Sequence, residues 1–188
     1  MISHMNELEK QLSGKLIEKA VVLEKIGNSW TVHSNSLRDS NEQGIWILYG
    51  KAKKDDSVVA DALEVGQVAD IANEICRDIG YIVRDYDYDK PKLSKRNRVK
   101  QFDWSVLLPI TENSRDLDKY KDIASKYKYL YFDVYVDKQK TWNTKDRKDL
   151  EMKLAISKQA KYWCGFGKEI TAAKNALNSS EAHPSSQR

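Results

Sequence analysis

Apolar residues recur along this chain at two spacings, and each spacing predicts a different element. In "NELEKQLSGKLIEKA", residues 6–20, Leu8, Leu12 and Leu16 stand four apart, which predicts an amphipathic helix that tolerates Gly14. The next stretch, "AVVLEKIGNSWTVHS", offers short β-prone pieces around Gly27-Asn28 and predicts a hairpin or strand-turn-strand. "GIWILYG", residues 44–50, is a β-branched and aromatic run between glycines and reads as a central strand. A polar excursion, "KAKKDDS", leads to "ADALEVG", and two neighbouring strands so joined are most simply antiparallel. Beyond Gly66 the period changes: Ile71, Ile75 and Ile79 predict a helix over 70–79, ended by Gly80.

Further on, "YIVRDYDYD" reads as a strand and "FDWSVLLPI" as an apolar strand closed by Pro109. Ser114 is placed to cap a helix whose stripe is Leu117, Tyr120, Ala124 and Tyr127. "KYLYFDVYVDK" predicts an aromatic strand, and Thr144 a cap for a helix burying Leu150, Leu154 and Ser157 or Ala160. "GKEITAAKNAL" predicts a short closing helix. No repeat is visible. Strands cluster early with helices against them, so the expected class is α+β, a small antiparallel or mixed sheet flanked by helices.

At 188 residues with 40% hydrophobic content, one domain over residues 6–178 is expected. "MISHM" resembles an expression-vector remnant, which removes His4 from consideration, and residues 179–188 read as a disordered tail. Cys76 and Cys164 are too few for a disulfide framework and read as small buried groups, which fits a reducing cytoplasm. No apolar run approaches the roughly 20 residues of a membrane span, so no membrane partner is expected. The net charge of +4 conceals a sharp asymmetry. Residues 61–90 set Arg77, Arg84 and Lys90 against eight carboxylates; residues 91–110 set Lys92, Lys95, Arg96, Arg98 and Lys100 against Asp103 alone.

"GIW" at 44–46 and "EVG" at 64–66, continued by "GQVADIANEI", resemble the two half-motifs and first helix of the GIY-YIG nucleases, and "DLEMKLAISKQAKYW" at 149–163 resembles their later helix. The resemblance spans roughly residues 40–165. It implies a small antiparallel sheet flanked by helices, a metal-binding glutamate at Glu151 with Mg2+ or Mn2+ as the ion, and cleavage of DNA. The chain departs from the pattern where that chemistry is centred. Trp46 and Glu64 stand at the two tyrosine positions, Glu74 at the arginine position and Asp78 at a position often held by histidine or tyrosine. An indole N–H cannot accept a proton from water, and a carboxylate repels the phosphate that an arginine would hold.

Substitutes within reach of the same chemistry are Tyr49, which at a strand offset of three faces the opposite side of the sheet from Trp46, and Arg77, which shares a helix face with Glu74. The plainer reading of Arg77 is a solvated salt bridge, and of Glu64 an outward carboxylate between core-facing Leu63 and Val65. Asp85, Asp87 and Asp89 share one side of an extended segment, as a cation site or a solvated edge; Asp133, Asp137 and Lys138 form a separated acid-acid-lysine set. Cys164 lacks a nearby base other than a distant His33, and Gly165, Gly167 and Lys168 do not make a phosphate-binding loop.

The run Lys92, Lys95, Arg96, Arg98 and Lys100, with Asn97, is spaced to follow a phosphate backbone, and Tyr86, Tyr88 and Phe102 can stack on bases or pack into the core. The leading expectation is therefore a DNA- or RNA-binding protein on a degenerate nuclease-like scaffold, without efficient cleavage. The second is an active divalent-metal endonuclease of restriction or phage-defence type, using Glu151 as ligand, Arg77 or Arg84 as electrostatic stabiliser and Tyr49 or Glu64 as base. The third is a protein-interaction or regulatory module.

Overall fold

The computed structural model describes residues 15–37, 42–83, 101–103, 108–110 and 119–163, with Leu8, Leu12 and Asn175 as single positions. Five antiparallel strands form the main sheet: β1 (Lys15–Ile26), β2 (Ser29–Asn35), β3 (Gly44–Lys51), β4 (Asp61–Val68) and β7 (Tyr129–Val136), in the order β2-β1-β7-β3-β4. Among the described residues it is accompanied by α1 (Ile71–Val83), α2 (Lys119–Lys126) and α3 (Thr144–Lys158). The class is α+β.

Alternation along β3 explains the layering. Ile45 and Ile47 enter one core with Ala62, Val65, Tyr135 and the α3 residues Leu150, Leu154 and Ala155. Trp46 and Leu48 enter the other core with Leu63, Phe132, Val134 and the helical residues Ile71, Ile75 and Ile123. Because both faces of β3 are covered, the strand reads as a continuous apolar run, as a strand buried on two sides must. β3 and β4 are antiparallel neighbours, as their short polar connection predicts.

Several boundaries differ from the expectation. The helix over 6–20 is replaced from Lys15 onward by β1; ahead of it, Leu12 N–H donates to the Leu8 carbonyl at 3.1 Å. Gly27 sits at φ 62 in the two-residue link between Ile26 and Ser29, a conformation that glycine adopts without a Cβ clash. Helix α1 starts where Asp70 accepts from Asn73 N–H at 3.1 Å and continues through Gly80 to Val83, so residues 81–83 are helical, not extended. One glycine costs a helix about 1 kcal/mol, and burying Ile82 on the same stripe offsets it. Residues 101–110 are not one strand: β5 (Gln101–Asp103) and β6 (Leu108–Ile110) pair with each other in a separate two-stranded sheet. The cap of α3 is Asn143, one residue before Thr144, in a reciprocal box with Asp146. Cys76 is exposed on α1, not buried. Ser114, Leu117, the tail and the closing helix of the expectation lie outside the described residues, apart from Asn175, which is helical.

Among the described residues, no helix is long and apolar enough to cross a membrane.

Candidate functional site

The two strands carrying the half-motif residues place Trp46 opposite Gly66 and Leu48 opposite Glu64. The two-residue period of a strand then turns Trp46, Leu48, Glu64 and Gly66 toward the helices α1 and α2. The Trp46 indole covers Gly66 and meets Phe132 edge-on, with ring centroids 5.7 Å apart. From α1, Asp78 joins the same core: it lies three residues after Ile75 and four before Ile82, on the apolar stripe, and is buried. From α2 come Lys119, whose ammonium pairs with the Glu64 carboxylate, and Tyr120, whose hydroxyl hydrogen-bonds Asp78. The Tyr120 ring stacks on Tyr81 at 5.4 Å, and Lys119 Nζ lies 4.8 Å from its centroid. Glu64 is thus not an outward residue: β4 is covered on this face too, and its carboxylate is only 12% exposed.

Burial pushes the Asp78 carboxyl up to about 7; the Glu64 and Glu74 carboxylates add to the rise, while Lys119 and the Tyr120 hydroxyl oppose it. The same burial, with Glu64 and Asp78 nearby, raises the Tyr120 phenol well above its ordinary value. Three buried polar atoms here, Trp46 Nε1, Glu64 Oε2 and Asp78 Oδ2, find no hydrogen-bond partner among the described residues. This corner is closed: Trp46 and Asp78 are each 3% exposed, so neither presents its polar atoms to a large substrate.

The remaining sequence candidates go elsewhere. Glu151 projects from α3 and accepts a hydrogen bond from Trp163 Nε1 at 3.2 Å. Since α3 and Trp163 pack against Ile45 and Ile47, the sheet separates Glu151 from Trp46 and Glu64. Tyr49 lies on the Glu151 side, stacked on Tyr131 at 5.0 Å. Arg77 is exposed and pairs with Glu74 at 2.5 Å, as the plainer reading has it. His33 pairs with Glu24 at 2.8 Å. Arg84, the acids Asp85, Asp87 and Asp89, the basic run 92–100 and Cys164 lie outside the described residues, as do the side chains of Tyr86, Tyr88 and Phe102.

The acid-acid-lysine set is divided between two structural tasks. Asp133 Oδ1 accepts the Lys19 N–H at 2.8 Å, and burial raises its carboxyl above the ordinary range. Burial also works to raise Asp137, but the Trp142 N–H, the Gln43 amide and Thr141 outweigh it and hold the carboxyl below its ordinary value. Asp137 anchors a network the sequence did not reveal: Gln43 Nε2 donates to it at 2.7 Å, and Arg147 donates to Gln43 Oε1 at 2.7 Å, Gln67 Oε1 at 3.0 Å and the Trp142 carbonyl at 3.1 Å. Among the described residues, no three His, Cys, Asp or Glu side chains are grouped to hold a metal ion.

Sequence reasoning missed Lys119 and Tyr120, which lie 41 or more residues from the carboxylates they serve. A usable signal existed: Asp78 occupies the apolar stripe of α1, where a lone acid requires a partner. Comparison with family models, with curated proteins and with solved structures gives no match to this chain.

Proposed function

We propose that the protein binds nucleic acid on a degenerate scaffold similar to the GIY-YIG nucleases and does not cleave it efficiently. The observation that carries this reading is the separation of Glu151 from Trp46 and Glu64 by the sheet. Metal-assisted hydrolysis needs a carboxylate-held ion, an activated water and a phosphate stabiliser around one phosphorus atom. Here Glu151 is tied to Trp163, Glu64 is neutralised by Lys119, Trp46 cannot act as a base and Arg77 is paired with Glu74. Among the described residues, none are grouped to fit a magnesium or manganese centre. In favour of the scaffold, "GIW" and "EVG" lie on adjacent antiparallel strands that lead directly into α1. In favour of binding, residues 92–100 concentrate five cations at phosphate-tracking intervals.

Salt-dependent binding of labelled nucleic acid, measured beside Arg96→Ala/Arg98→Ala, tests the first half of the proposal. Affinity is expected to fall with salt and with the double substitution, and absence of binding at low salt overturns it. Plasmid incubation with Mg2+ or Mn2+ tests the second half. Cleavage that disappears in Glu151→Ala would establish the endonuclease reading in its place.

A further inference from the structure

We propose that the sheet face opposite α1 and α2 carries a single-strand binding surface, where an unpaired base stacks on Tyr131 and Lys19, Lys51 and Lys54 hold the flanking phosphates. The inference deepens the nucleic-acid reading and rests on it.

The face is built by alternation in β7. Leu130, Phe132 and Val134 enter the core beneath α1 and α2, so Tyr129 and Tyr131 project to the other side, each half-buried. Tyr49 stands directly across from Tyr131 on β3, and their rings are parallel to within 18° at 5.0 Å. Tyr129 leans against Tyr131 at 6.1 Å. The result is a bent row of three rings, two along β7 and one across on β3, with Val22 of β1 beside Tyr131.

The ring face of Tyr131 is overlooked by a flexible cation, Lys19 Nζ, 5.6 Å from the centroid. That placement has a structural cause. Between Ile17 and Val21 the β1 register slips against β7, so Glu18, Lys19 and Ala20 share one partner position, Asp133. Lys19 takes φ 46 there, a left-handed conformation that a lysine adopts only under constraint, and Asp133 Oδ1 fixes its N–H. The bulge aims an exposed ammonium over the tyrosine row. An incoming base stacks where the ammonium now lies, and the displaced lysine turns to a phosphate.

The rim carries two further lysines. Lys51 lies across from Tyr129, and Lys54 reaches the same face through Glu24, which it meets at 2.9 Å. The same Glu24 oxygen also meets His33 Nε2, at 2.8 Å. Burial raises the Asp133 carboxyl above its ordinary range, and Glu18 is exposed beside Lys19. Aromatic rings bordered by lysines suit a strand whose bases are unpaired; a duplex keeps its bases stacked on each other and offers such a face only phosphates.

Fluorescence anisotropy with labelled oligothymidylate and with a blunt duplex, on wild type, Tyr131→Ala and Lys19→Gly, tests the surface. Tyr131→Ala is expected to weaken oligothymidylate binding about tenfold, the loss of one stacked base, with little change on duplex. Lys19→Gly relieves the left-handed strain, so its melting temperature should hold or rise while its single-strand affinity falls; it keeps the test sound if Tyr131→Ala melts early. Undiminished oligothymidylate binding in both variants, or equal losses on single strand and duplex, overturns the surface and leaves the nucleic-acid reading standing. No binding of either probe by wild type defeats that reading, and this inference with it.

Discussion

Trp46 and Gly66 face each other across β3 and β4, and the indole lies over the bare Cα of the glycine. A Cβ at position 66 would come within 2.9 Å of Trp46 Nε1 and closer still to the ring carbons. Gly66→Ala is expected to cost about 1–3 kcal/mol through overpacking, read as a lower urea midpoint with unchanged slope. In a Trp46→Phe background the same substitution should cost measurably less, because the smaller ring leaves space; additive losses would show that the strain lies elsewhere.

Breaking the buried pair of Glu64 and Lys119 from one side leaves an uncompensated carboxylate. Lys119→Met should destabilise by about 3 kcal/mol, whereas Glu64→Leu/Lys119→Met should recover most of that loss. Chemical denaturation of both variants decides the point, and a double variant no better than Lys119→Met would contradict it.

Asp78 gives the fold a pH dependence of definite sign. Its folded-state pKa of about 7 exceeds the ordinary aspartate value, so the folded chain holds a proton that the unfolded chain releases. That contribution is complete at acid pH and is lost progressively as pH rises from the ordinary aspartate range to about 7, after which the penalty is constant. Asp78→Asn, which keeps a donor and an acceptor, should flatten this slope and raise neutral-pH stability by a few kcal/mol, roughly one pKa unit per 1.4 kcal/mol. Melting curves from pH 4 to 8, a range chosen around that window, should diverge most at the alkaline end.

Arg147 serves acceptors on three chain segments: Gln43, Gln67, and the Trp142 carbonyl with the Thr144 hydroxyl. Arg147→Lys retains the charge but not the fork, so it is expected to lose about 1–3 kcal/mol, and Arg147→Met more. Hydrogen exchange should localise the loosening to the start of α3 and the end of β4, and a change confined to β1 and β2 would argue against this role.

The parts of the fold legible in the sequence are those with a sustained apolar run or stripe: β3, β4, β7 and the stripe of α1. β1 was hidden because its alternation is interrupted at Lys19, and because Leu8, Leu12 and Leu16 happen to share a helical spacing although only the first two show a helical turn. Gly80 misled because a helix interior tolerates one glycine when a buried isoleucine follows. At the candidate site, the meeting of Trp46 with Gly66 follows from strand register and was within reach. The meeting of Glu64 and Asp78 with Lys119 and Tyr120 depends on where α2 docks, which no local pattern encodes.

The position of β7 has a consequence for how the chain reaches this state. The strand between β1 and β3 is made last of the five, and its contacts with β1 join residues far apart in sequence, from Glu24 with Tyr129 to Lys15 with Val136. Without β7, the hairpins β1–β2 and β3–β4 have no strand in common and each has an inner edge unpaired. Joining them through β7 makes long-range pairing the slow step, a topology that folds slowly for its size and exposes two sticky edges until it does.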